Sequence, residues 1–164
     1  MKQFYVNIPI MERLIVLDTE TTGIDPKEGH RIIEVGAVEI SKREITTSEF
    51  HKYVQPNRNV GDSVNIHGIT DKFLINKPQF EQISADLLTF INGATLIIHN
   101  APFDLAFLNY ELRLINQKPI EKENVIDTLE IARLKYPGSQ NSLDALCKRF
   151  NIDNSKREKH SALI

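Results

Sequence analysis

The sequence predicts an α/β or α+β domain of three layers, in which a mixed five-stranded β-sheet carries helices on its faces. Three strand-like segments come first, and helical and strand-like segments alternate after them. Short turns favour antiparallel pairing of the first strands, whereas intervening helices favour parallel pairing of the later ones. The 164 residues fit one domain with a sizeable core, and neither a sequence repeat nor a long linker divides them.

The first predicted strand begins with the apolar residues 14–17 and ends in two carboxylates, Asp18 and Glu20. A continuous apolar run is typical of a strand that is buried on both faces. Residues two apart in a strand point to the same face, so we expect Asp18 and Glu20 to lie together. Close carboxylates repel each other, and a bound Mg²⁺ or Mn²⁺ relieves that repulsion. From these two residues alone, the alternative to a metal site is a strand end whose acids are solvated.

Two more strands follow a polar loop. Residues 32–40 are rich in β-branched side chains, and the more polar residues 45–54 are expected nearer an edge of the sheet. The short turn around Lys42 predicts antiparallel pairing between these two strands. An irregular loop at residues 56–65 then leads to Thr70, which is suited to cap a short helix.

The remaining segments alternate between helices and short strands. Pro78 opens an amphipathic helix that stops near Gly93, and residues 95–98 form a short buried strand. Pro102 opens a helix that is apolar nearly all round as far as Leu114, and we therefore expect this helix to be buried. A brief strand follows at residues 125–126. Three further helices are predicted after it, at residues 127–136, at residues 141–150 and from residue 156 onward.

Composition narrows the class of protein. The net charge of −2 argues against a binder that grips nucleic acid by charge alone, although a site that holds phosphates through metal ions needs no basic patch. No apolar run approaches the roughly 20 residues that span a bilayer. Residues 1–10 make a poor signal peptide and are interpreted as an extension before a domain at 11–164. The single cysteine, Cys147, is interpreted as a small core residue in a reducing cytoplasm.

Two residues could join the carboxylates of the first strand. Asp104 falls in the first turn of the apolar helix, where a favourable interaction with the helix N-terminus is the ordinary explanation and a third site acid is the alternative. His160 lies among charged residues that are usually solvated, yet a histidine near a metal-bound water is a natural general base. The other histidines and acids favour ordinary structural roles, namely His30, His51, His99, Asp127 and Asp144.

Three segments hold these candidates in order, at residues 18–23, 99–104 and 141–163, and a fourth at 64–69 surrounds His67. Together they resemble the motifs of the DEDDh 3′→5′ exonucleases, in particular the members that proofread for bacterial replicative polymerases. The resemblance covers nearly the whole chain. It implies a ribonuclease-H-like fold.

The resemblance also implies two divalent ions, Mg²⁺ or Mn²⁺, in one active site. Asp18 would bridge both ions, Glu20 would be a direct ligand, and Asp104 would support the second ion largely through water. His160 would take a proton from the attacking water. Contacts to the terminal nucleotide would come from Asp18, Glu20, Thr21, Asp62, His67, Asn100 and Phe103, although related proteins often carry glutamate where Asp62 falls.

The activity implied is hydrolysis of the 3′ end of DNA to nucleoside 5′-monophosphates. Two metal ions can activate a water and stabilise the leaving oxygen, and a mispaired end costs less to melt into such a site. The implied partners are the DNA 3′ terminus, a polymerase catalytic (alpha) subunit and a small accessory subunit, with no membrane. Two alternatives stay open, a DEDDh exonuclease that acts on RNA and a subunit that mainly stabilises a polymerase assembly.

The chain departs from the family pattern at its end. That pattern continues from His160 to a fourth acid, at the position that would follow Ile164. We therefore expect an exonuclease domain without its last helix. We also expect this chain to bind at most one metal ion tightly and to hydrolyse DNA slowly.

Overall fold

The computed structural model describes residues 13–154 and residue 162. Five strands form one mixed sheet, namely β1 (Arg13–Thr21), β2 (Ile32–Ser41), β3 (Glu44–Tyr53), β4 (Thr95–Ile98) and β5 (Val125–Asp127). Their order across the sheet is β3-β2-β1-β4-β5. β2 pairs antiparallel with both β1 and β3, whereas β4 pairs parallel with both β1 and β5. The predicted mixed sheet and the edge position of its third strand are confirmed.

Six α-helices are described, namely α1 (Val64–His67), α2 (Asp71–Leu74), α3 (Phe80–Ile91), α4 (Ala101–Leu114), α5 (Thr128–Lys135) and α6 (Leu143–Phe150). Short 3₁₀ turns lie at Pro26–Glu28, Gly61–Ser63 and Lys122–Asn124, so the loop expected at 56–65 is partly helical. Within 13–154, no helix has both the length and the apolar character to cross a membrane. The helix expected from residue 156 lies outside the described residues.

Side-chain caps fix where the helices begin. The Thr70 hydroxyl accepts a hydrogen bond from the Phe73 amide at 3.2 Å, and the Asp127 and Ser142 side chains cap α5 and α6 in the same way. The caps at Thr70 and Asp127 agree with the sequence, whereas the cap of α6 is Ser142, one residue after the start expected at 141. Helix α3 begins at Phe80, two residues later than predicted, because Gln79 and Gln82 form a reciprocal capping box after the proline.

Strand β1 buries one face only. Ile15 and Leu17 belong to the core, together with residues of α3 and α4. Val16 points to the other face and is 40% exposed, where it lines an open apolar cavity of about 410 Å³ with Val38 and Ile97. The expectation of burial on both faces is therefore wrong for the described part of the chain, because α3 and α4 cover the same side of the sheet.

Helix α4 is likewise buried along one stripe. Phe107, Leu108 and Leu112 are inaccessible, whereas Leu114 is 52% exposed. Ala101 is buried as well, but Phe103 and Leu105 are partly exposed and Ala106 is exposed, so the prediction of burial all round is wrong. Cys147 is also only half-buried on α6, and it forms no disulfide.

An ion pair joins α4 to the start of β2. Glu111 on α4 is 2% exposed, and its carboxylate accepts two hydrogen bonds from the Arg31 guanidinium at 2.6 and 2.7 Å. The same carboxylate accepts the Ile32 amide at 3.3 Å. This two-pronged contact raises the pKa of Arg31, against the opposing effect of burial. It orients α4 relative to the sheet.

We expect Arg31→Met to lower the free energy of unfolding by about 3 kcal/mol, because it leaves the buried Glu111 carboxylate without its partner. Glu111→Gln is expected to cost less, since the Arg31 side chain is partly exposed and can regain water. Urea unfolding at pH 7 measures both values. Glu28→Gln, at a side chain that is 69% exposed, is the control and should change stability by less than about 1 kcal/mol. A larger loss for Glu111→Gln than for Arg31→Met would contradict this argument.

Candidate active site

Asp18 and Glu20 lie near the end of the central strand β1, on the face that α3 and α4 leave open. The residues opposite them on β2 are Gly36 and Glu34. Burial alternates along β1, so the two carboxylates share a side while Leu17 and Thr19 face the core. The expected common face of Asp18 and Glu20 is present. A register shift follows Glu20, where the strand gives way to the turn.

Asp104 lies in the first turn of α4 and is tied directly to β1. Its Oδ1 atom accepts the Thr19 amide at 3.0 Å and the Thr19 hydroxyl at 2.8 Å. The side chain is 2% exposed. Because β4 is parallel to β1 and leads into α4, the first turn of this helix reaches the end of β1. The fold therefore brings together Asp18 and Asp104, which are far apart in sequence.

The environment of Asp104 opposes its ionisation. Burial has the largest effect and the Asp18 charge the next, and together they raise the pKa of Asp104 from 3.8 to about 7. The hydrogen bonds from Thr19 lower this pKa but do not offset burial. A cation bound beside Asp104 would favour the ionised form of this carboxyl and oppose that rise in pKa.

The donor set suits a hard divalent cation. Asp18, Glu20 and Asp104 offer carboxylate oxygens, the ligands that Mg²⁺ and Mn²⁺ prefer. Over the described ranges, no group of three or more histidine, cysteine, aspartate or glutamate side chains is arranged to ligate one ion directly. One oxygen of Asp104 is already engaged by Thr19, which fits a role through water. The residues present thus fit the metal that the sequence predicts, with two direct carboxylates.

Two residues that are predicted to contact the substrate come shortly before Asp104 in the sequence. Asn100 precedes α4 in the left-handed conformation, with φ of 71°, and its amide donates to Asp127 Oδ1 at 3.0 Å. Its side chain is exposed. The Phe103 ring is partly buried and its centroid lies 5.1 Å from that of Phe107. Both residues are therefore presented by the same helix start that carries Asp104.

Three other residues predicted to contact the substrate are the last residue of β1, the last residue of α1 and a residue of the 3₁₀ turn before α1. Thr21 closes the end of β1, where its hydroxyl donates to the Gly23 carbonyl at 2.6 Å. His67 is buried at the end of α1, and its Nδ1 accepts the Ile69 amide at 3.0 Å, which leaves Nε2–H to donate to Ser63. His67 thus orders its own loop, and Asp62 is exposed in that loop. The predicted base, His160, lies outside the described residues.

One acid at this end of the sheet was not predicted from the sequence. Glu34 is wholly buried, lies opposite Glu20, and contacts His51, which was interpreted as an ordinary residue. A glutamate inside the apolar stretch 32–38 was the available signal. Buried acids need specific partners, so its position called for an explanation.

Comparisons with known proteins agree with this geometry. The family model described as Exonuclease matches residues 15–164. The DNA polymerase III subunit epsilon of Rickettsia felis is 53% identical over 155 residues, which cover 92% of this chain and 68% of the relative. The Escherichia coli protein of the same name is 48% identical over 161 residues, which cover 93% of this chain and 66% of the relative.

Solved structures share the fold. Exonuclease X in complex with 5′-overhanging duplex DNA aligns with a TM-score of 0.67 and 27% identity, over 92% of this chain and 79% of that one. The nuclease domain of 3′hExo, a DEDDh family member bound to rAMP, aligns with a TM-score of 0.75 and 23% identity, over 88% and 82% of the two chains. The ribonuclease-H-like architecture is thereby confirmed. The family match and the relatives show that the chain belongs to the exonuclease family, as a 3′→5′ exonuclease.

Proposed function

We propose that this enzyme removes nucleotides from the 3′ end of DNA with the help of divalent metal ions and proofreads for a replicative DNA polymerase. The main observation in favour of this chemistry is that Asp104 is hydrogen-bonded to Thr19 of β1, between Asp18 and Glu20 in the sequence. The relatives named DNA polymerase III subunit epsilon support the DNA substrate and the polymerase. By the family resemblance, the proposed partners are a polymerase catalytic (alpha) subunit and a small accessory subunit, and the proposed location is the cytoplasm.

The three acids have different tasks in this proposal. Asp18 would bridge two Mg²⁺ or Mn²⁺ ions, Glu20 would bind one of them, and Asp104 would act through water. When bound, the ions supply an activated water and neutralise charge on the leaving oxygen. Thr19 keeps the Asp104 carboxylate in place through its amide and hydroxyl.

His160 would accept the proton of the attacking water. An imidazole titrates near neutral pH, so it can take up a proton there and release it again. The support for this role is the family resemblance and the position of the neighbouring residue Ala162, which lines the same cavity as Asp18. His160 would act as a base and not as a metal ligand.

The terminal nucleotide would contact the residues around the acids. The exposed Asn100 side chain can form hydrogen bonds, and the partly buried Phe103 ring offers a flat surface to a base. Thr21, Asp62 and His67 complete the proposed contacts. A mispaired end unpairs at lower cost, and this difference would give the selectivity of proofreading.

The test of this function uses a DNA primer with a mispaired 3′ end and a matched RNA primer. With Mn²⁺, we expect the full protein to release nucleoside 5′-monophosphates from DNA, faster from the mispaired end than from a paired one. Chromatography of the products measures the rate. Asp18→Asn is expected to abolish release and to lose the Mn²⁺-induced rise in melting temperature, since ligand binding to the folded state stabilises it.

A faster reaction on RNA would favour the alternative of an RNA exonuclease. Binding to a polymerase subunit without hydrolysis would favour a stabilising subunit. An unchanged Mn²⁺ effect in Asp18→Asn would contradict the metal assignment.

The pKa of Asp104 predicts a pH dependence of stability for the metal-free protein. The unfolded chain loses this proton near pH 4, whereas the folded protein keeps it until about pH 7. Stability should therefore fall as the pH rises from about 4 to about 7, by up to about 4 kcal/mol, and then level off. Urea unfolding across this range, in the presence of a chelator, measures the effect.

Asp104→Asn is the matched control, because its amide oxygen can still accept both hydrogen bonds from Thr19. This variant should lack that fall in stability and should be more stable than the unmodified protein at pH 8 without metal. Parallel pH profiles for the two proteins would show that Asp104 is not the group responsible.

His160→Ala is expected to lower the rate of single-turnover hydrolysis by ~10²–10⁴-fold, because the attacking water loses its proton acceptor. The affinity for Mn²⁺, measured by calorimetry, should stay nearly unchanged. His30→Ala is a suitable control, since within the described part of the chain the His30 ring contacts its own loop, through Thr22 and Glu28. A large loss of metal affinity with normal chemistry would instead identify His160 as a ligand.

A further inference from the structure

Glu34 is an acid that the proposed chemistry does not use. It lies in β2 with no exposed surface, opposite Glu20 of β1. Side chains of directly opposed residues in an antiparallel pair share one face, so Glu34 is next to the site. A carboxylate is retained at such a depth only where other groups satisfy it by hydrogen bonds or charge.

Both oxygens of Glu34 have a partner in the protein. Oε1 lies 2.7 Å from Nε2 of His51, and Oε2 accepts the backbone N–H of Ala162 at 3.3 Å. Tyr53 is close as well, since the Glu34 charge adds to burial in raising the pKa of its hydroxyl. His51 and Tyr53 lie on the edge strand β3 and face Glu34 from one side, whereas Ala162 approaches from a distant part of the chain.

Ala162 connects Glu34 to the proposed base. It is a buried residue two positions after His160. Two residues of chain span at most about 7 Å, so a fixed Ala162 limits how far His160 can lie from this point. The hydrogen bond to Glu34 ties the Ala162 backbone to the strand beside Glu20.

We propose that Glu34 is a positioning residue that holds the Ala162 backbone, and through it His160, against the active-site end of the sheet. The inference rests on the proposed role of His160 as the base. His51 orients the Glu34 carboxylate from the other side. Because both oxygens are engaged by the protein, Glu34 acts through the chain segment and not as a further metal ligand.

The closing experiment is a double-mutant cycle in the full protein, read by single-turnover hydrolysis of DNA with saturating Mn²⁺. Displacement of a catalytic group by about 1 Å can cost 10²-fold, so we expect Glu34→Ala to lower the rate by about that factor. In the His160→Ala background, Glu34→Ala should cost nothing further. The interaction between the two positions would then account for the whole effect.

The conservative variant Glu34→Gln gives a rescue arm. Its amide oxygen can accept the Ala162 N–H, and its amide nitrogen can donate to a neutral His51, so most of the rate should return. Glu111→Ala is the control for a buried glutamate with a purely structural role. It should change the rate by the same factor in both backgrounds. If Glu34→Ala does not fold, Ala162→Pro removes the same hydrogen bond from the other partner and should give the same pattern.

Two results overturn the inference in distinguishable ways. Equal losses from Glu34→Ala with and without His160 would show that Glu34 acts through the fold or the metal, while the role of His160 survives. An unaffected rate in His160→Ala alone would remove the base, and with it the reason for positioning. A Glu34→Gln variant as slow as Glu34→Ala would also contradict the proposed hydrogen bonds.

Discussion

The hydrogen bonds from Thr19 to Asp104 are the contact on which the site depends. They place a buried carboxylate against β1, next to a second acid on the same strand. Such an arrangement is costly, because burial and a like charge both disfavour ionisation. The core residues Ile15 and Phe107 are buried on the two elements involved, and their packing keeps β1 and α4 together in spite of that cost. A bound cation would lower that cost, because it stabilises the ionised carboxylates.

The topology of the sheet explains why the acids meet at this point. β1 pairs antiparallel with β2 on one side and parallel with β4 on the other. Such a change of direction leaves a crevice at the strand ends, where ligands bind in α/β sheets. The helix after β4 contributes Asp104 to that crevice, while β2 contributes Glu34 to its far side. Both positions follow from the strand order and not from closeness in sequence.

Local patterns predicted much of this structure. The caps at Thr70 and Asp127 are short-range interactions, so three to four residues of sequence were enough to identify them. The exposure of Val16 could not be predicted in that way, because an apolar strand does not show which of its faces a helix will cover. The position of Asp104 was ambiguous for a related reason. Its place in a helix start has an ordinary explanation, and only the pairing of β1 with β4 brings it to Asp18.

The surroundings of Glu34 were even harder to predict from local sequence patterns. Its partners, His51 and the Ala162 amide, come from an edge strand and from the far end of the chain, so no local pattern connects them. The acids of the site are carried by β1 and α4, whose positions the core fixes. The proposed base, His160, lies beyond α6 in the sequence, two residues before Ala162. The buried Glu34 carboxylate accepts the Ala162 N–H, a bond that constrains the main chain and not a mobile side chain. The acids and the base would then both be positioned relative to the same end of the sheet.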